Sequence, residues 1–237
     1  MLRNVIAIVI AVAIGALGYS WWQRKDAEES PLNVMVTQMR TRAIIEHERL
    51  VTVWYRACPE TKGVNPKVMV IWPAKLNYEL DLAETRMSLG ADGVLTVDTP
   101  AIRADDPSVP TEFGEYLAQT SFWTLDSEQA IVMREMQKST PLARHLTTYF
   151  LIADKGLSKH FKDELEAYLR GIAGALGVVV TRIEINIPEK KVPIPARPDL
   201  ALCEGTVAIA NGLPFARRQP DGTILGIYPR PGERQDN

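Results

Sequence analysis

Histidine and cysteine are scarce. The 237-residue chain has three histidines, His47, His145 and His160, and two cysteines, Cys58 and Cys203. Zinc and related metals need several such ligands at close spacing, and no histidine here has another histidine or a cysteine at ligand spacing. The tetrapeptide "EHER" around His47 lacks the second histidine of a zinc-protease helix. No serine sits in a G-x-S-x-G elbow, and Cys58 has no nucleophile signature around it. Asp105 and Asp106 are adjacent in a Pro-rich stretch, which suits a turn or helix entry better than two carboxylates facing one cleft. An excess of one charge is also missing. The 27 basic and 29 acidic residues are interspersed, for a net charge of −2, so no global field draws in nucleic acid. The residues therefore point to no catalytic group, no metal, no cofactor and no nucleic-acid partner.

One long hydrophobic run is present, at the N-terminus. Asn4 to Trp22 carry no charge, and 19 residues at 1.5 Å rise span about 28 Å, enough to cross a hydrocarbon core. Tyr19, Trp21 and Trp22 follow as an interfacial belt, then Arg24 and Lys25. The expectation is a transmembrane anchor over 1–25, N-terminus inside, in a single-pass inner-membrane protein whose domain is periplasmic or extracytoplasmic. A cleaved signal peptide with small residues at Ala16-Leu17-Gly18 is the rival reading. Within the anchor, Ala7, Ala11 and Gly15 recur every fourth residue, the spacing that lets two membrane helices pair closely.

A polar connector is expected over 26–40, an α+β domain over 41–188 and a Pro-rich, partly disordered extension over 189–237. The domain's first strand is read in "TRAIIEHERLVTVWYRA", where Ala43, Ile45, Val51, Val53 and Tyr55 share one parity but His47 and Arg49 fall on the same face. The clearest pattern is the even-numbered set Val68, Val70, Trp72, Ala74, Leu76, Tyr78, Leu80 and Leu82, a long half-buried strand with Pro73 marking a bend or an edge. A hairpin turns at Asp92-Gly93, and "AIRADDPSVP" is a loop. Asp126 with Gln129 suggests a helix start, the helix running to about Asp154 with Pro141 dividing it and Met133, Met136 and Leu142 among its core contacts. A second helix from about Ser158 carries the apolar face Phe161, Leu165, Leu169 and Ile172. Val179, Thr181, Ile183, Ile185 and Ile187 then share one strand face. Half of the 16 prolines lie in 188–237, where a small hairpin is expected at Asp221-Gly222. The fold class is α+β: a mostly antiparallel sheet with two or three helices packed on it, preceded by one transmembrane helix.

Gly171, Gly174 and Gly177 resemble a phosphate loop at first sight. Such loops run strand, glycine turn, helix, whereas these glycines close a helix and precede a strand. They are therefore structural: close packing along one helix side, with Gly177 ending the helix. In an oxidising compartment Cys58 and Cys203 allow one bridge, and two unpaired thiols are the alternative.

The segments "ERLVTVWYRA" and "AKLNYELDLAETRMSLGADGVLTVDTPAI", followed by two helices and a final strand, resemble the bacterial membrane-anchored family catalogued as domain of unknown function 4230. The resemblance runs from about Thr41 to Pro188 and includes the Asp81-Leu82 pair and the hairpin ending near Pro100. "LEAYLRGIAGALGVVVTRIEINIP" is more distantly similar to the end of band 7 (stomatin/prohibitin-like) domains, which follow a membrane segment and assemble into rings or scaffolds. The long helix that usually follows them is replaced here by the Pro-rich tail, which implies a small assembly at most. The expected function is a noncatalytic, membrane-tethered envelope protein that binds or organises protein partners or itself as a small homo-oligomer. The alternatives are an extracytoplasmic ligand sensor, with residues 101–112 as its mouth, and a hydrolase whose site is assembled from distant residues.

Overall fold

The computed structural model describes residues 31–42, 44–61, 63–189 and 192–226. The anchor residues Ala7, Ala11, Gly15, Tyr19, Trp21 and Trp22 lie outside them, as do Ala43 and the last eleven residues. Among the described residues no helix is long and apolar enough to cross a membrane.

The chain is an α+β domain built on a curled antiparallel sheet. Its centre is the pair β1 (Ile44–Ala57) and β2 (Lys67–Asp81), zipped along their whole length from Ile44 opposite Asp81 to Ala57 opposite Val68. Every even-numbered residue from Val68 to Leu82 is buried on one face, as the alternation requires. Each large apolar side chain among them contributes about 1.5–3 kcal/mol by leaving water, which fixes the register, since a slip by one would expose them all. On β1 the matching inner face is Ile45, His47, Arg49, Val51, Val53 and Tyr55.

Pro73 sits inside β2 without bending it out of the sheet. The outer edge of β2 is shared by two partners: β6 (Glu115–Gln119) pairs with 67–71, and β5 (Arg103–Ala104) pairs with 78–79. Lys75 exchanges both backbone bonds with Ser108 on that side, at 2.8 and 3.0 Å. Residue 73, two back, aims its backbone the same way, into the gap between the two partners, so its missing N–H breaks no ladder bond. The stretch expected as a loop and as a ligand mouth, 101–112, is thus bonded along the edge of β2.

A second, three-stranded sheet orders β3 (Arg86–Leu89), β4 (Val94–Asp98) and β7 (Arg182–Asn186), with β4 and β7 parallel. Strand β7 starts at Arg182, and Val179 before it is exposed rather than on a buried face. Helices α2 (Glu128–Met136), α3 (Ser139–Ala153) and α4 (Lys155–Ala175) cover the inner face, α3 packing on β2 and α4 on β7. Several ends differ from expectation. The α2 cap is Ser127, whose hydroxyl accepts from the Ala130 N–H, while Asp126 pairs with Arg134 at 3.4 Å. The break between α2 and α3 falls at Gln137-Lys138, because Pro141 lies in the first turn of α3, where an N–H has no intrahelical partner to lose. Met133 is exposed instead of core. Asp154 caps α4, which starts at Lys155, three residues earlier than Ser158, and accepts from the Gly156 N–H at 2.8 Å.

Two expected boundaries move. Residues 31–42 form helix α1 (Pro31–Arg42) rather than a connector, with Met35 and Met39 buried against β3 and α4. Beyond residue 188 the chain adds β8 (Val207–Ala210), β9 (Leu213–Arg218) and β10 (Ile224–Gly226), three strands of the seven-stranded sheet, with β8 against β1. Leu200, Leu202 and Phe215 of this segment are buried, so it belongs to the core.

Candidate functional site

Two polar residues interrupt the inner face of β1, and the junction of α3 and α4 closes over them. Arg49 forms an ion pair with Asp154, the residue that caps α4, and lies 4.5 Å from the ring centre of Phe150. His47, half-buried, has its ring 4.2 Å from that of His160 and within 6.4 Å of Tyr78 and Phe161. His160 reaches Glu164, one turn on, at 3.8 Å. Burial, with the His160 ring and the Arg49 guanidinium nearby, holds the His47 imidazole below its usual value. Among the described residues no three His, Cys, Asp or Glu side chains are placed to hold a metal. The cluster fastens the start of α4 to the sheet.

The opposite side of that α4 segment lines a half-open groove of about 800 Å³. Its floor is aliphatic: Ile183, Ile185 and Ile187 from the β7 segment, flanked by Ile102, Leu151, Ile152 and Val192. Its rim carries Lys155, Lys159 and Lys162, which at 100° per residue fall within an arc of about 60° on α4. His47 does not line it, so the histidine and the groove do not combine into one concave site.

A third feature is the turn between β6 and α2. Phe122 and Trp123 are 92% and 69% exposed and meet edge to face at 5.5 Å. The turn is rigidly held. Thr124 Oγ1 donates to the Val64 carbonyl at 3.0 Å, and the Val64 N–H donates to the Trp123 carbonyl at 3.2 Å. Gly63 permits this contact: its φ is +94°, and a Cβ there would lie 2.0 Å from the Trp123 oxygen. Leu117 on β6 and Leu125 after the turn are exposed as well. No family model, curated protein or solved structure matches the chain.

The structure joins Cys58 to Cys203, whose Cα atoms are 4.8 Å apart. Both flank a backbone bridge between Ala57 and Leu202, and Cys203 N–H donates to the Arg56 carbonyl. Of the three glycines, Gly177 has φ +66° and completes a Schellman end: Val178 N–H donates to Ala173 O at 2.9 Å and Gly177 N–H to Gly174 O at 3.2 Å. Close packing of Gly171 and Gly174 is not found. Both are exposed, and a Cβ on either would meet nothing within 4 Å, because the buried side of α4 is formed by Leu165, Leu169, Ile172 and Ala173. The residues that sequence reasoning passed over are the aromatic pair and the groove lysines. The signal for the first was legible: two adjacent large aromatics in the otherwise turn-like "QTSFWTLDS".

Proposed function

We propose that this chain is a noncatalytic, membrane-tethered protein of the bacterial envelope, of the domain of unknown function 4230 type, whose exported domain binds a protein partner or a second copy of itself. The observation that carries the reading is the clamped aromatic turn. Large exposed aromatics on a rigid backbone bury much area at little entropic cost, and natural surfaces reserve them for contacts. The turn is fixed to residues 63–64, past the Ala57 end of β1, while α1 joins the Ile44 end. Fourteen residues of strand separate those ends by about 45 Å, so the aromatic pair lies at the end of the β1–β2 pair away from the junction with α1, which supports contact with protein rather than lipid. Tethering raises the effective concentration for such a contact.

The test is a photo-crosslinking amino acid at Leu117 in the full chain, in intact cells. Adducts of defined mass are expected, and Phe122→Ser with Trp123→Ser should remove them while the melting temperature stays within a few degrees. Monomer alone in the parent chain, or adducts indifferent to the double substitution, overturns the reading.

A further inference from the structure

We infer that the groove between α4 and β7 binds a free single-chain fatty carboxylate. The inference is independent of the aromatic turn and gives the ligand-sensor alternative a specific site and ligand class. Three observations lead to it. The lining includes seven aliphatic side chains and no aromatic one, and a volume of about 800 Å³ falls in the range of small-molecule sites. Its central row, Ile183, Ile185 and Ile187, comes from β7 and the residue just past it, and β7 is an edge strand paired only to β4. A central row one strand wide suits one extended chain better than the two of a phospholipid.

Charge decides the head group. Lys155, Lys159 and Lys162 line the rim, Lys162 half-buried, and none takes part in the ion pairs among the described residues. Acids are present too. Glu166 is held by Arg170 at 2.7 Å and Asp154 by Arg49, which leaves Asp163 and Glu189 against three ammonium groups. A half-buried lysine beside an aliphatic floor keeps its stem on apolar surface and its head ready for an anion. A carboxylate at the α4 rim with its tail along β7 meets both walls at once. A neutral alcohol of equal length would satisfy only one.

The probe is a diazirine-bearing palmitate, applied to the full chain in phosphatidylcholine nanodiscs, with labelled peptides mapped by mass spectrometry. Label is expected on peptides containing Ile152 and Ile183–Ile187, suppressed by excess palmitate and not by hexadecanol. Lys159→Glu with Lys162→Glu should lower labelling about tenfold. Ile187→Asp, one residue past the β7 ladder, should do the same with the melting transition retained. Label confined to the N-terminal hydrophobic segment or to the aromatic turn overturns the proposal. So does hexadecanol competing as well as palmitate, which would make the lysines irrelevant. Suppression by phosphatidylglycerol added to the nanodisc overturns the free acid as the occupant in favour of a lipid head group.

Discussion

His47 is the residue where packing and titration meet. Its ring faces His160, Arg49, Asp154, Glu164 and Tyr78, and burial, with His160 and Arg49 nearby, holds its pKa below about 6.5. His145, buried on α3 with Nδ1 2.7 Å from the Pro195 carbonyl, is lowered as well, chiefly by burial, and the carbonyl only partly offsets this. For both, the unfolded chain takes the proton first. Stability is therefore unaffected well above pH 6.5 and falls as pH drops through that value toward the lower folded-state pKa. Thermal melts of the parent chain should shift down between pH 7.5 and pH 5.5, and His47→Gln should shrink that shift. An equal shift in both proteins would show that His47 does not contribute. The parity of β1 marked His47 and Arg49 as misfits on the buried face. Their partners were not legible, since nothing local says that residues more than a hundred positions later will close over them.

At the scale of elements, the end of α4 distinguishes two uses of glycine that spacing alone could not. Gly171, Gly174 and Gly177 share one helix side in the sequence, yet that side faces solvent. Gly171 and Gly174 thus pay the backbone entropy of glycine with no close approach in return, and replacing either with Ala should stabilise the fold by about 0.5–1 kcal/mol. Gly177 holds φ +66°, and Gly177→Ala should cost about 1 kcal/mol. Denaturant midpoints of the three variants check this, and a common sign for all three would remove the distinction. The long strand β2 was readable almost residue by residue, because period-two burial leaves a direct imprint on sequence. The β8–β9 hairpin was equally well encoded by Asn211-Gly212, at φ +51° and +80°, the strongest two-residue hairpin signal. The surrounding prolines drew attention to an extended tail instead, and the pairing of β8 with β1 is long-range information that no local window holds.

The whole molecule turns on whether the segment after residue 188 is an appendage or part of the fold. It supplies β8, β9 and β10, buries Leu200, Leu202, Ala208, Ala210 and Phe215, and is stapled to the end of β1 by Cys58–Cys203. That bridge closes a loop with a sequence separation of 145, for which chain entropy gives about 5 kcal/mol of stabilisation, comparable to the entire net stability of a small domain. The two contributions can be separated. Cys58→Ser with Cys203→Ser should lower the unfolding free energy read from denaturant melts by up to that amount while leaving one cooperative transition, because β8 still pairs with β1 through Val53 and Trp54. A chain ending at Pro188 loses the bridge and the three strands together, uncovering the edge of β1 and the apolar surface those strands bury, and should show no cooperative transition at all. If instead the shortened chain melts cooperatively near the parent temperature, residues up to 188 form a self-sufficient domain and the C-terminal strands are an addition to it.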